Sequence, residues 1–305
     1  MLEDGERTRG TVRTIGGDLT GGMDAARRPT GPIIAILIVL AAVAIGQVVI
    51  GVPLYLVLFG IGQPNQGGLG YQLYATLVLF SATTLALYLW IRFKERRPFE
   101  TVGFRSRPSR IWLGAAAGLV MFAVIVLVGV VSGQMTVALR PVTAGLVGGV
   151  LIALAGFVVQ GSTEEILTRG YLLQAAARRW GLVAGVALQA AVFALLHGIN
   201  PGTSVLALVN LVLVALFLAG WALLEGGLWG VCAWHAVWNW TQGNVWGLLV
   251  SGQPIETSLL STRSVPDASD LVTGGGFGPE GGLVTTAVLV VGLAVVALLW
   301  RRHAG

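Results

Sequence analysis

Residues 33–52 read IIAILIVLAAVAIGQVVIGV. The run is twenty residues long and carries no charge. At a helical rise of about 1.5 Å per residue it reaches about 30 Å, the thickness of a bilayer's hydrocarbon core. It begins only after Pro32 and is too long for the apolar part of a cleavable leader, so it reads as a membrane span. Working outward, similar runs occur at about 72–91, 112–132, 145–163, 183–198, 204–223, 228–250 and 283–300. The expected fold is therefore all-α: a polytopic transmembrane helix bundle of about eight spans.

Composition supports this. Of 305 residues, 55% are hydrophobic and 11% charged, where a soluble domain carries about 25%. Mean hydropathy is +0.81. A disordered chain, a disulfide scaffold and an ordinary cytosolic enzyme are all excluded. Cys232 is the single cysteine, so no intrachain disulfide exists.

The formal charge of +5 matters through its placement. With the N-terminus inside, 17 of the 19 basic residues fall on cytoplasmic segments, leaving Arg140 and Arg263 outside. Both termini are thus expected in the cytoplasm of a multi-pass cell-membrane protein. The basic excess reads as topology and contact with the lipid bilayer, and a nucleic acid partner is not expected. The sequence fixes no oligomeric state. The expected organisation is a disordered cytoplasmic tail over 1–31, N-terminal spans over 32–144, a helical core over 145–250, a Gly-, Ser-, Pro- and Asp-rich flexible extracytoplasmic loop over 251–282, and a final span with a short basic tail over 283–305. No internal repeat is evident, which disfavours an inverted-repeat transporter.

Ionisable side chains inside a membrane are costly and mark function by default. Among 14 acids, only Glu164 and Glu165 lie on an apolar segment, with Glu225 at an inner boundary. Two of the three histidines, His197 and His235, also lie in apolar runs. In Glu164-Glu165-Ile166-Leu167-Thr168-Arg169, Glu165 and Arg169 are four apart and placed to pair, while Glu164 points about 100° away. A helix-end ion cluster is the plain alternative. Phe193 and His197 share a face, and a core histidine bonded to a carbonyl is the plain reading there. Trp180-Gly181, next to Arg178 and Arg179, suits a helical hairpin turn. Glu164 stands 16 residues before Trp180 and His197 stands 16 after Gly181, so a continuous hairpin sets carboxylate and imidazole level. His235 and Asn239 are again four apart and both can donate hydrogen bonds; an interhelical hydrogen-bond pair is their plain reading. By rise per residue, His235 is about 15 Å from the Glu225-Gly226-Gly227 turn and His197 about 24 Å from its own. The two meet only if the 164–197 hairpin projects a turn or two into the cytoplasm. Asn210 and Gln189 read as structural, and Cys232 as a small buried apolar residue.

The ordered set Glu164-Glu165-x-x-x-Arg169, Phe193-x-x-x-His197 and His235-x-x-x-Asn239 resembles the CPBP family of intramembrane proteases, which includes type II CAAX prenyl endopeptidases and bacteriocin-processing or immunity proteins. The resemblance covers 145–250, about a third of the chain. It implies a helical endopeptidase, open to the cytoplasm, that cleaves a membrane-associated protein or peptide. By motif position Glu164 and His197 would activate a water, His235 and Asn239 would stabilise the oxyanion, and Glu165, Arg169 and Phe193 would support the site. Hydrolysis needs such a base and such donors.

No cofactor is required in this reading. The alternative is a zinc-dependent protease with Glu164, His197 and His235 as a His₂Glu ligand set, although no His-Glu-x-x-His helix exists. Two further readings differ in class: a non-catalytic immunity or adaptor protein that keeps the motif, and a proton-coupled transporter whose Glu and His residues relay protons.

Overall fold

The computed structural model describes residues 17–62 and 64–304. All eight apolar runs fold as helix. Six are long and apolar enough to cross a membrane: α1 (Pro32–Phe59), α2 (Leu69–Glu95), α3 (Arg110–Val131), α4 (Ala144–Trp180), α6 and α8. Here α5 is Leu182–His197, α6 is Val205–Glu225, α7 is Trp229–Trp240 and α8 is Leu283–Ala304. The runs expected to span at 183–198 and 228–250 are thus shorter helices. α5 stops before the Asn200-Pro201-Gly202 stretch, and α7 continues only through a π turn over Thr241–Val245.

Local signals explain the starts. Pro32 opens α1 at a position that has no use for its missing N–H. Thr143 caps α4 by accepting from the Leu146 amide at 3.1 Å, and Ser204 caps α6 by accepting from the Ala207 amide at 3.1 Å. α4 changes to a π turn over Ile166–Leu172, immediately past Glu165, a distortion frequent at functional sites.

α7 lies at the centre, packed on α3 and α4. The approach to α3 runs over Gly114 and Gly118. A Cβ at the first would overlap the Gly230 carbonyl, and one at the second would stand 2.7 Å from that of Trp234. Such small-residue spacing lets membrane helices meet backbone to backbone. α5 packs on the end of α4 and on α6. α8 lies on the outside, against α6 and α3. Between α3, α6 and α8 runs a lateral groove of about 860 Å³, lined by side chains such as Met121, Phe217 and Val288 and by none of the predicted site residues.

Three parts differ from the sequence reading. Residues 1–16 lie outside the described residues, but 17–31, expected as part of a disordered tail, are seated on the bundle. Leu19 and Met23 are fully buried in the main core cluster, and the Arg27 amide donates to the Glu95 carbonyl at 2.9 Å. The helical class admits one small antiparallel sheet, β1 (Met135–Leu139) with β2 (Leu260–Ser264), in register from Met135↔Ser264 to Leu139↔Leu260. Residues 251–282, read as a flexible linker, hold β2, a short helix over Asp270–Thr273 and 3₁₀ turns over Gly275–Phe277 and Pro279–Gly281. They bond back to the bundle through Leu259 N–H to the Asn244 carbonyl (2.9 Å) and Glu256 N–H to the Gly67 carbonyl (2.9 Å).

Candidate active site

Two adjoining stripes of α4 build the site. One carries Gln160, Glu164 and Thr168, the other Gly161, Glu165 and Arg169, each at helical spacing of four. α7 crosses the second stripe at Gly161, where a Cβ would stand 3.0 Å from the Ala236 nitrogen and 3.2 Å from the His235 Cβ. Glycine there lets His235 reach both glutamates.

Glu165 and Arg169 are fully buried and paired at 3.1 Å. The same Glu165 oxygen accepts from His235 Nδ1 at 2.8 Å. A second Arg169 donor hydrogen on Nη1 goes to the Thr168 hydroxyl at 2.8 Å, and the guanidinium lies 4.7 Å from the centre of the Phe193 ring. Phe193 also stacks 4.4 Å from the His197 ring and stands 6.3 Å from that of His235. It is the apolar wall between them.

Glu164 is held by one oxygen. Gln160 Nε2 donates to its Oε1 at 2.5 Å, and Gln160 Oε1 in turn accepts from Asn239 Nδ2 at 3.0 Å. Its Oε2 has no hydrogen-bond partner among the described residues. That atom faces His197 Nε2 at 3.5 Å and His235 Nε2 at 3.6 Å. The far nitrogens settle the tautomers. His197 Nδ1 is 2.9 Å from the Phe193 carbonyl, which can only accept, and His235 Nδ1 meets a carboxylate. Each Nδ1 therefore carries a proton, and each Nε2 faces Glu164 Oε2, as an acceptor when its ring is neutral and as a donor when its ring is charged.

All seven predicted residues, Glu164, Glu165, Arg169, Phe193, His197, His235 and Asn239, thus meet in one place, and the level pairing of Glu164 with His197 is present. Six are buried; His197, with 16% of its side chain exposed, is the open member. The sequence reading missed Gln160. Its signal was there: an amide four residues before Glu164 on an apolar stretch. Asn210 is structural as read, donating to the Glu280 and Gly282 carbonyls at 2.7 and 2.9 Å.

Residues 146–241 match the family model described as type II CAAX prenyl endopeptidase Rce1-like. That segment is about a third of the chain, and the match agrees with the expected resemblance to the CPBP family. No curated protein and no solved structure matches the chain. The matched segment starts inside α4 and ends two residues past Asn239, so it contains the seven residues and Gln160. Its six long apolar helices make the protein a multi-pass membrane protein, and the matched segment lies within that bundle. α1, α2, α3, α8 and the 251–282 segment lie outside the match.

Proposed function

We propose that this protein is an intramembrane endopeptidase that cleaves a membrane-associated protein or peptide reaching the site from the cytoplasmic face of the cell membrane. The observation that carries the reading is Glu164, pinned through Oε1 by Gln160 with Oε2 left free between two imidazoles. A water held by Glu164 Oε2 and His197 Nε2 gives its proton to the carboxylate while its oxygen attacks the scissile carbonyl. The oxyanion takes hydrogen bonds from the second N–H of Asn239 Nδ2 and, with both ring nitrogens protonated, from His235 Nε2. Collapse breaks the C–N bond, and the proton passes to the leaving amine. Phe193 keeps bulk water from the rings, and Glu165 with Arg169 fixes His235. The distribution of basic residues supports cytoplasmic access.

A second reading has its own observation. Two zinc ligands about 2.1 Å from a tetrahedral centre lie about 3.4 Å apart, close to the 3.5 and 3.6 Å between Glu164 Oε2 and the two Nε2 atoms. Protein acceptors on both Nδ1 atoms also suit metal-bound histidine. The chain has no His-Glu-x-x-His helix, and Asn239 suits a hydrogen-bond donor better than a ligand, so the metal-free mechanism is preferred. Zinc here would polarise the water.

The test is comparative membrane proteomics of cells expressing wild type or Glu164→Ala at equal level. An uncut protein accumulates in the variant; identical proteomes and an unchanged phenotype overturn the proposal. The description of the matched family adds prenylated C-terminal peptides to the substrates worth assaying. Cleavage that survives rigorous chelation supports the metal-free mechanism, and loss restored by zinc replaces it with the second reading.

A further inference from the structure

The two imidazoles that face Glu164 come from α5 and α7, and these helices share no extended contact among the described residues. On one side both rest on α4. On the other, the stretch Phe277–Glu280, outside the family match, joins them. Glu280 Oε1 accepts from the Trp238 indole N–H at 3.3 Å, and Oε2 accepts from Gln242 Nε2 at 3.3 Å, the Ser251 amide at 2.7 Å and the Ser251 hydroxyl at 2.8 Å. Trp238 and Gln242 are one turn apart and flank Asn239, so these bonds fix the rotation of α7 at the level of the proposed oxyanion donors. Ser251 continues the link: its carbonyl accepts from Asn200 Nδ2 at 3.1 Å, three residues past His197. Phe277 is fully buried against Ala190, Phe193 and Ala194 of α5 and against α6. The Phe277 carbonyl accepts from the Gly252 amide at 2.9 Å.

We infer that Glu280 is a positioning residue of the proposed protease site, a carboxylate satisfied wholly by neutral donors that locks the His197 and His235–Asn239 arms at a fixed separation. The inference rests on the protease reading. Glu280 touches no reacting atom, and its loss lets one ring drift from Glu164 while the helices persist.

The experiment uses the full-length chain in nanodiscs and compares Glu280→Gln, Glu280→Ala and Thr286→Val. The glutamine turns one acceptor into a donor facing the Ser251 or Trp238 N–H. Thr286→Val removes the neighbouring 2.7 Å bond to Asn210 and leaves the Glu280 donors alone. Hydrogen exchange should rise at 198–204 and at 238–246 in both Glu280 variants and not in Thr286→Val. On the protein that accumulates with Glu164→Ala, Glu280→Gln should lower kcat about tenfold with KM within about twofold, at an unchanged unfolding midpoint. Wild-type exchange or wild-type kcat in both Glu280 variants overturns the inference, as does a kcat loss that only tracks lost folded protein. Should Glu164→Ala accumulate nothing, the protease reading falls by itself, and the exchange arm still decides whether Glu280 links α5 to α7.

Discussion

Replacing Gln160 with leucine removes two bonds at once. One is the 2.5 Å donation to Glu164 Oε1 and the other the 3.0 Å bond accepted from Asn239. Glu164 and Asn239 are 9% and 4% exposed, so water cannot readily replace the lost partner. A hydrogen bond to a charged group is worth about 1.5–3 kcal/mol, and a buried donor left bare costs about 1–3 kcal/mol. Leucine recovers part of this because it buries no amide, which leaves a net destabilisation of about 2–4 kcal/mol. In catalysis the consequence is specific. Glu164 becomes free to rotate, and its two oxygens lose their separate roles. If about 2–3 kcal/mol of the loss is felt in the transition state, the rate falls about 30- to 150-fold. The assay is first-order cleavage, in membrane vesicles, of the protein that accumulates with Glu164→Ala, normalised to folded enzyme, beside reversible unfolding in mild detergent. Cleavage within about threefold of wild type in Gln160→Leu would refute the view that one oxygen must be tethered for the other to act as base.

Arg169→Met leaves Glu165 as a buried carboxylate without its guanidinium and should destabilise the fold by about 3–5 kcal/mol. Adding Glu165→Gln should recover most of that stability without recovering cleavage, because His235 has then lost its anchor; unfolding titrations that place Arg169→Met within about 1 kcal/mol of wild type contradict this. Gly161→Val drives a branched side chain into the backbone beside His235 and should lower turnover about 100-fold in a chain that still folds. Equal turnover at equal folded amount would show that α7 has slack there.

The site was legible because charge in an apolar segment has so few reasons to exist. Glu164, Glu165, Arg169, His197 and His235 stand out against runs of Val, Leu and Ala, and their spacing of four puts partners on one face. Gln160 escaped because a neutral amide in a membrane helix is common glue and disturbs no pattern. Glu280 escaped for the opposite reason. It sits among Gly274, Gly275, Gly276 and Pro279, a composition shared by loose linkers and by tight turns, and only the partners distinguish them. The length of α7 was overestimated because apolarity counts toward a span whether a residue faces lipid or, like Trp234 and Ala236, faces protein. Residues 17–31 read as tail because two anchors, Leu19 and Met23, make no periodic signal.

Two adjacent carboxylates at one site would repel if both were left to themselves, and the structure resolves this by giving them different partners. Glu165 faces Arg169 and His235, fully buried, with one oxygen shared between two cationic or N–H donors. Its Oε2 also has no hydrogen-bond partner among the described residues, but its charge faces a guanidinium and its Oε1 holds a ring. Glu164 receives only neutral donors at its backbone and at Oε1, from Thr168 and Gln160. It therefore keeps an oxygen whose hydrogen-bonding capacity is unspent, facing two rings that are acceptors when neutral. A single added proton can lie on any of the three atoms, and a water can hydrogen-bond to more than one of them. That is the arrangement a proton-transferring site needs. The i, i+1 placement on one helix achieves it because about 100° of rotation sends one acid toward α7 and Arg169 and the other toward the gap between α5 and α7.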